Sequence, residues 1–328
     1  MKVVIDAQKC VNKRFARVKC TDCRDSCPAK CINETLEIGN HCTNCGLCLA
    51  VCPAEAIGGV SYSVEAVQQL FTSQEPIRLI CQRCQPDSLW PCLGFLDPTL
   101  LLALVFSAED GRREVAIYQE ECRQCCDEIA EHLVRTVAEA NRLMGSGTPR
   151  IVNAKQKFDG LAPKAVSRRE FFAKLWESSV STIRDIAFAT AEEMRPIPRR
   201  DLFSKSGIAQ LHQSELYNQT TFKKLAVGKK CNTCGLCAKV CSAGAIATAS
   251  KEGIFKIRHN PARCKNCGVC AVLCPQGAIS LLPASLLAET IVGLFNMPVC
   301  QDCGRKYQPV GNAGVCSDCM QKSRIFSS

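Results

Sequence analysis

Cysteine carries the chemistry of this chain: 27 of its 328 residues are cysteine, against 4 histidines. Most repeat as CxxC, too close in sequence to pair comfortably with each other as disulfides, so they point to metal or iron-sulfur ligation. Three segments nearly superimpose as text: residues 42–57 (CTNCGLCLAVCPAEAI), 231–246 (CNTCGLCAKVCSAGAI) and 264–279 (CKNCGVCAVLCPQGAI). Each is CxxCxxCxxxC. Three cysteines on a tight loop present sulfur to three irons of one 4Fe-4S cube, and the fourth, expected to open a short helix, reaches a neighbouring cube. Glycine (Gly46, Gly235, Gly268) relieves crowding where backbone passes inorganic sulfide. Pro53 and Pro275 follow the fourth cysteine, and Ser242 stands there in the other copy. A divergent fourth copy, residues 20–32 (CTDCRDSCPAKCI), has Arg17 where its first cysteine is due, and Cys10 is the natural replacement across a longer loop. Zinc on the same cysteines would favour two separated CxxC pairs over this interdigitated pattern. Cys31 stands where the other copies have Ala56, Ala245 and Ala278, and reads as a small buried residue, not a ligand.

The middle of the chain holds Cys81 and Cys84 in CQRC, Cys92 in WPCLG, and Cys122, Cys125 and Cys126 in CRQCC. Residues 77–81 and 114–118 read as short buried strands, with an apolar helix over 98–107 between them. A longer helix follows, with Ile129, Leu133, Val137, Ala140 and Met144 at helical spacing and acidic Asp127 and Glu128 in its first turn. This is a small α/β unit with its cysteines at strand ends. Cys81, Cys84, Cys122 and Cys125 would make a four-thiolate site for zinc, a 2Fe-2S or a 4Fe-4S centre, and Cys92 could displace one of the four. In the tail, Cys300, Cys303, Cys316 and Cys319 form the two CxxC knuckles of a zinc ribbon, with mononuclear iron or another cluster as alternatives. Four protein ligands leave no open position there for a substrate.

Residues 1 to about 62 and about 223 to 283 each resemble a bacterial two-cluster ferredoxin domain on these motifs. The resemblance implies Cys10, Cys20, Cys23 and Cys52 on one 4Fe-4S cluster and Cys42, Cys45, Cys48 and Cys27 on its neighbour. It likewise implies Cys231, Cys234, Cys237 and Cys274 on a third, and Cys264, Cys267, Cys270 and Cys241 on a fourth. Residues 92–125, from CLGFLDPTLLLAL to VAIYQEECRQC, weakly resemble the small iron-sulfur subunit of methanogen-type hydrogenase and heterodisulfide reductase complexes, which tilts the middle site toward an iron-sulfur centre. The stretched first motif resembles accessory ferredoxins of nitrate reductases.

The elements that must position these thiols imply an α+β chain. Two ferredoxin domains (1–62 and 223–283) flank the small α/β domain (76–145) and a helical, basic linker (146–222), with a helix and the ribbon in 284–328. In the linker, Ser167 and Glu170 form a capping box for an amphipathic helix to about Met194, stopped by Pro196 and Pro198. SRREFF, at its start, resembles an export motif but is internal and has no apolar segment after it. The basic run 195–205 reads as a solvated linker or a docking surface for an acidic partner. A helix is expected over 285–295.

The formal charge of +10 counts thiolate ligands as neutral. Four cubes and one four-thiolate zinc, each near −2, would bring the chain close to neutrality, so the polyelectrolyte argument for nucleic acid loses its force. The lysines and arginines beside the cluster loops (Lys229, Lys230, Lys239, Arg263, Lys265) would favour the more negative reduced state. No phosphate loop, dinucleotide fingerprint or nucleophile elbow is present, and His41, His132, His212 and His259 are scattered. His41, beside Cys42, reads as a surface residue. The longest apolar run, 100–106, is too short to span a membrane, and no secretion signal is visible, so the expectation is a cytoplasmic protein. The expected function is a non-catalytic electron-transfer subunit relaying single electrons between a larger oxidoreductase (of hydrogenase, formate or aldehyde dehydrogenase, or reductase type) and another carrier. The alternative is an assembly or maturation factor for a metalloenzyme.

Overall fold

Short apolar segments open and close each pair of cysteine repeats, and in the computed structural model they pair with one another. The structure describes residues 3–72, 76–108, 113–119, 122–144, 147–152, 195–206, 221–309 and 314–325. The chain divides into two compact units, residues 1–10 with 21–207, and residues 11–20 with 208–328. The mixture of helix and strand is that of an α+β chain.

In the first unit, Val3–Ile5 runs antiparallel to Ile57–Gly59, with Val3 opposite Gly59 and Ile5 opposite Ile57. An antiparallel bridge between Ile32 and Ile38 lies between them in sequence. The second unit repeats the plan. Lys223–Val227 pairs antiparallel with Ile279–Pro283, and Ile246–Lys251 and Ile254–His259 form a hairpin between them. That hairpin turns at Glu252 and Gly253, both at positive φ, the turn whose twist matches its flanking strands.

The first unit also contains a parallel sheet, with Val115–Tyr118 between Ile77–Leu79 and Arg150–Val152. A parallel strand is covered on both faces and therefore apolar throughout, and all four residues of Val115–Tyr118 are buried. The helix Pro98–Val105 is buried along almost its whole length. Asp97 caps it by accepting from the Leu100 N–H at 2.8 Å, and Pro98 fits the first turn, where no N–H partner is needed. The helix Asp127–Met144 buries Ile129, Leu133, Val137, Ala140 and Met144, the stripe its spacing implies.

Three expectations differ from the structure. The segment 285–295 is not a helix: Thr290–Asn296 is a strand, antiparallel to Ile254–His259 with a register shift between Ile291 and Gly293. Three consecutive β-branched residues, Thr290, Ile291 and Val292, then Gly293, disfavour a helix, and a neighbouring strand supplies the backbone partners. The fourth cysteine of a repeat does not open a helix. The helices Leu47–Val51, Leu236–Val240 and Val269–Val272 precede it, and Cys52 and Cys241 are extended caps at their ends, with ψ of 111° and 96°. Pro53 disfavours a helical conformation at Cys52. The basic run 195–205 is not a solvated linker: it contains the helix Arg199–Lys205, in which Arg199, Arg200 and Phe203 are buried. The helix expected from Ser167 to about Met194 lies outside the described residues.

Candidate metal centres

Each repeat imposes the same backbone on its cysteines. The residue before the second cysteine is left-handed in all three close copies, with φ of 54° at Asn44, 63° at Thr233 and 58° at Asn266. Gly46, Gly235 and Gly268 follow at 79°, 70° and 71°, each capping the helix that carries the third cysteine. A second turn follows the fourth cysteine, and it recurs in all four copies, the divergent one included. Lys30, Glu55, Gly244 and Gly277 have φ of 49°, 49°, 58° and 55°. Their N–H groups donate to the carbonyls of Cys27, Cys52, Cys241 and Cys274 at 3.0, 3.2, 3.1 and 3.1 Å.

The halves of each pair are then tied crosswise. The N–H of Asp6 donates to Ala56 at 2.7 Å and that of Gly39 to Cys31 at 2.8 Å. In the second unit, Gly228 donates to Ala278 at 2.7 Å and Asn260 to Ala245 at 2.8 Å. So the segment entering one half meets the turn that closes the other. Cys10, Cys42 and Cys231 donate back to the carbonyls of Asp6, Gly39 and Gly228 at 2.9, 3.2 and 3.1 Å, so a backbone turn leads into Cys10 as it does into Cys42 and Cys231, one residue longer at Cys10.

The thiols gather accordingly. Burial pushes the Cys48 thiol well above its ordinary range, with Cys45, Cys42, Cys23 and Cys27 adding to it. Burial and then Cys264, Cys267, Cys241 and Cys237 push Cys270 up to about 12. Burial raises Cys237 to about 11, eased by the Ala238 N–H and reinforced by Cys231, Cys234 and Cys274. Cys52 is raised by burial as well, eased by the N–H groups of Ala56 and Ala54 and by Arg199, with Cys10 opposing. Buried thiols that repel each other as thiolates ionise only when a cation compensates them, and an iron-sulfur cluster supplies that charge. Amides already aim at the sulfurs: Ala56 donates to Cys52 Sγ and Ala278 to Cys274 Sγ, both at 3.3 Å. Cys20 belongs to the 11–20 stretch of the second unit, where its N–H bonds Asn12 Oδ1 at 2.8 Å. Cys31, read as a filler, is buried with its Sγ 3.4 Å from that of Cys27.

The middle cysteines meet beyond the carboxyl ends of the parallel strands, the crevice where α/β sheets bind ligands. Cys81, Cys84, Cys122 and Cys125 line one cavity of about 540 Å³. Cys92 lines it too, which spacing alone left open. Cys122 is pushed up to about 12 by burial and then by Cys81, Cys92, Cys84 and Cys125, so five thiols face one another. Arg83 Nη1 donates to Cys125 Sγ at 3.2 Å, and Cys126 turns its S–H to Glu128 Oε2 at 3.2 Å.

The tail differs in scale. The Sγ atoms of Cys300, Cys303, Cys316 and Cys319 all lie within 4.8 Å of one another. A tetrahedral ion with metal–sulfur bonds of about 2.3 Å sets its sulfurs about 3.8 Å apart, and Cys303 Sγ lies 3.8 Å from Cys316 Sγ. The set therefore fits a single four-coordinate ion. The backbone N–H of Arg305, and then its side chain, draws the Cys303 thiol down to about 6, a ready thiolate.

Arg199 was not legible as a site residue. Its guanidinium donates to the carbonyls of Ala50 and Cys52, the latter at 2.7 Å, and to Asp97 Oδ2 at 2.8 Å, while the Arg200 N–H bonds Glu55 Oε1 at 2.8 Å. Arg199 and Arg200 together brace the two ends of the Cys52 turn. His41 is exposed, His132 is half-buried against the Leu96 carbonyl, and His259 is buried, its Nδ1 accepting from the Leu225 N–H. His212 lies outside the described residues. Among the described residues no helix is long and apolar enough to cross a membrane.

Comparison with curated proteins finds none that matches this chain. Residues 230–278 match the family model of the 4Fe-4S dicluster domain. That segment spans the repeats of Cys231 and Cys264 with their crosswise turns, and with so many further cysteines it marks the chain as an iron-sulfur electron-transfer protein carrying a 4Fe-4S dicluster domain.

Proposed function

We propose that the chain is a polyferredoxin subunit, holding four 4Fe-4S clusters in two ferredoxin domains and relaying single electrons between the catalytic cofactor of a larger oxidoreductase and another carrier. The observation that carries this reading is the crosswise pairing of Asp6 with Ala56 and Gly39 with Cys31. It repeats in the first unit the pairing of Asn260 with Ala245 inside the matched dicluster domain and of Gly228, just before that domain, with Ala278 at its end. Two repeats that share this turn and this pairing present their cysteines alike, so the first unit is read as a second dicluster domain. When bound, a cluster of this kind takes up and gives back one electron at a time. The protein's part is to exclude water with buried residues such as Leu47, Ile57, Ile246 and Ile257, to aim amides at sulfur, and to place lysines beside the loops, which together set the potential.

The tail ribbon is assigned a structural zinc, since its four thiolates leave no position for a substrate. The partner is proposed as a hydrogenase, dehydrogenase or reductase in a reducing cytoplasm. Anaerobic purification with iron, sulfide and zinc analysis tests the cofactor content. About 16 irons per chain, four for each of four cubes, supports it; a colourless chain without sulfide refutes it. Co-purification with an oxidoreductase at fixed stoichiometry supports the relay. Transient binding to an apo-enzyme alone supports a maturation factor instead.

A further inference from the structure

Two cysteine loops of the first unit, one from a ferredoxin-type repeat and one from the α/β part, touch backbone to backbone. Gly94, two residues after Cys92, lies so close to the other loop that a Cβ there would sit 2.5 Å from the carbonyl oxygen of Cys45 and 3.3 Å from the nitrogen of Leu47. Only glycine allows that approach. Tyr62, fully buried, spans the same seam: its hydroxyl bonds the Asn44 carbonyl at 2.5 Å and the Cys92 carbonyl at 3.4 Å. The cavity of about 540 Å³ is itself shared, with Cys45 and Thr43 on one wall and Cys81, Cys92 and Cys122 on another.

The same cavity bears on the metal. In the tail, four sulfurs crowd within 4.8 Å around the place of one ion. In the middle site the sulfurs of Cys81 and Cys84 lie 3.7 Å apart, and these two residues line the cavity of about 540 Å³ together with Cys92, Cys122 and Cys125. A polynuclear centre fills such a space, whereas a single ion would draw the sulfurs to about 3.8 Å.

We infer that the middle thiols hold an iron-sulfur centre that exchanges single electrons with the cluster bound by Cys45, across a junction built by Gly94, Tyr62 and the loops of Cys45 and Cys92. The inference rests on the relay reading and adds a junction to it. In each exchange one electron leaves an Fe(II) of one centre and enters an Fe(III) of the other, with no proton transferred and no bond made or broken. The short backbone contact gives the electron a route through few atoms.

The test uses the full chain, purified without air, analysed for iron, sulfide and zinc, and titrated with dithionite while EPR spectra are recorded. The wild type is expected to hold two to four irons per chain beyond those of the ferredoxin-type clusters. Its reduced spectrum is expected to show a spin interaction over and above that between paired ferredoxin clusters. Cys122→Ser is expected to lose those extra irons and that interaction while keeping the remaining iron, which also reports that the variant is folded. Because a serine variant can fail to fold, the wild type supplies a second readout: the spin relaxation of the ferredoxin-type signal is expected to change as the middle centre passes from oxidised to reduced. Full ferredoxin iron with zinc in the middle site, or extra iron with no change in relaxation, overturns the junction and leaves the relay standing. Absence of ferredoxin iron itself overturns both.

Discussion

A cysteine that ligates a cube and one that only fills space differ in what their loss removes. Cys45 is the second cysteine of a tight loop that reverses φ at Asn44 and Gly46, on either side of it. Cys45→Ala is expected to remove about four irons per chain, and Cys267→Ala the same number from the second unit, by iron and sulfide analysis. Cys31→Ala is expected to leave iron at the wild-type level, because alanine stands at the matching position in the other three copies. Four irons lost from Cys31→Ala would make it the ligand in place of Cys27, whose sulfur is 3.4 Å away. At this scale the loop was legible, because its pattern is local: three cysteines and a glycine within seven residues recur with the same φ reversals in all three close copies. Cys92 was harder to assign, since what makes it a candidate is a cavity assembled from strand ends far apart in sequence, and WPCLG has no spacing rule of its own.

Elements were legible where one segment decides its own conformation and illegible where a distant partner decides it. The stripe from Ile129 to Met144 makes a helix whatever surrounds it, and the cap at Asp97 is written in the four residues DPTL. Thr290–Asn296 took its conformation from Ile254–His259, more than thirty residues earlier, and could be read either way without it. The helix Arg199–Lys205 is the extreme case. Its basic residues suggested solvent, yet Arg199 bonds groups on Ala50 and Cys52 that lie 149 and 147 positions away. The Arg199–Asp97 pair is buried, with side-chain exposures of 6% and 14%. Removing one partner of a buried pair leaves an uncompensated charge at a cost of about 3–5 kcal/mol. Arg199→Ala is therefore expected to destabilise the first unit by about 3 kcal/mol, since Asp97 keeps its bonds to Leu100 and Thr99. Thermal unfolding of the metal-loaded chain measures it. Adding Asp97→Asn should recover part of the loss; a variant as stable as wild type would show the clamp to be incidental.

Across the whole molecule, the two kinds of thiolate site imply two different responses to metal removal. The most sheltered ferredoxin-type thiols, Cys48 and Cys270, are held off ionisation by burial and then by their neighbours, so clusters on them would leave only when the fold opens or the cluster is oxidised. The ribbon differs at Cys303, which is exposed and drawn to about 6 by Arg305. A chelator at neutral pH is thus expected to take the tail metal first, releasing one zinc per chain while the visible absorbance of the cubes persists. The consequence reaches into the second unit. Gln308, in the ribbon, donates from Nε2 to the carbonyl of Cys234 at 2.9 Å, and its amide would meet any side chain placed at Gly235 at 2.5 Å. The ribbon therefore touches, through Gln308, the loop that carries the second and third cysteines of that repeat. On the zinc reading, removing the ion would cost the knuckles the bonds that hold them together, release Gln308 from the loop and admit oxygen to the cluster proposed there. On exposure to air the chelated chain should bleach several-fold faster than the zinc-loaded one, with Gln308→Ala, zinc retained, in between. Equal rates in all three would mean that the ribbon shields nothing and serves only to close the tail.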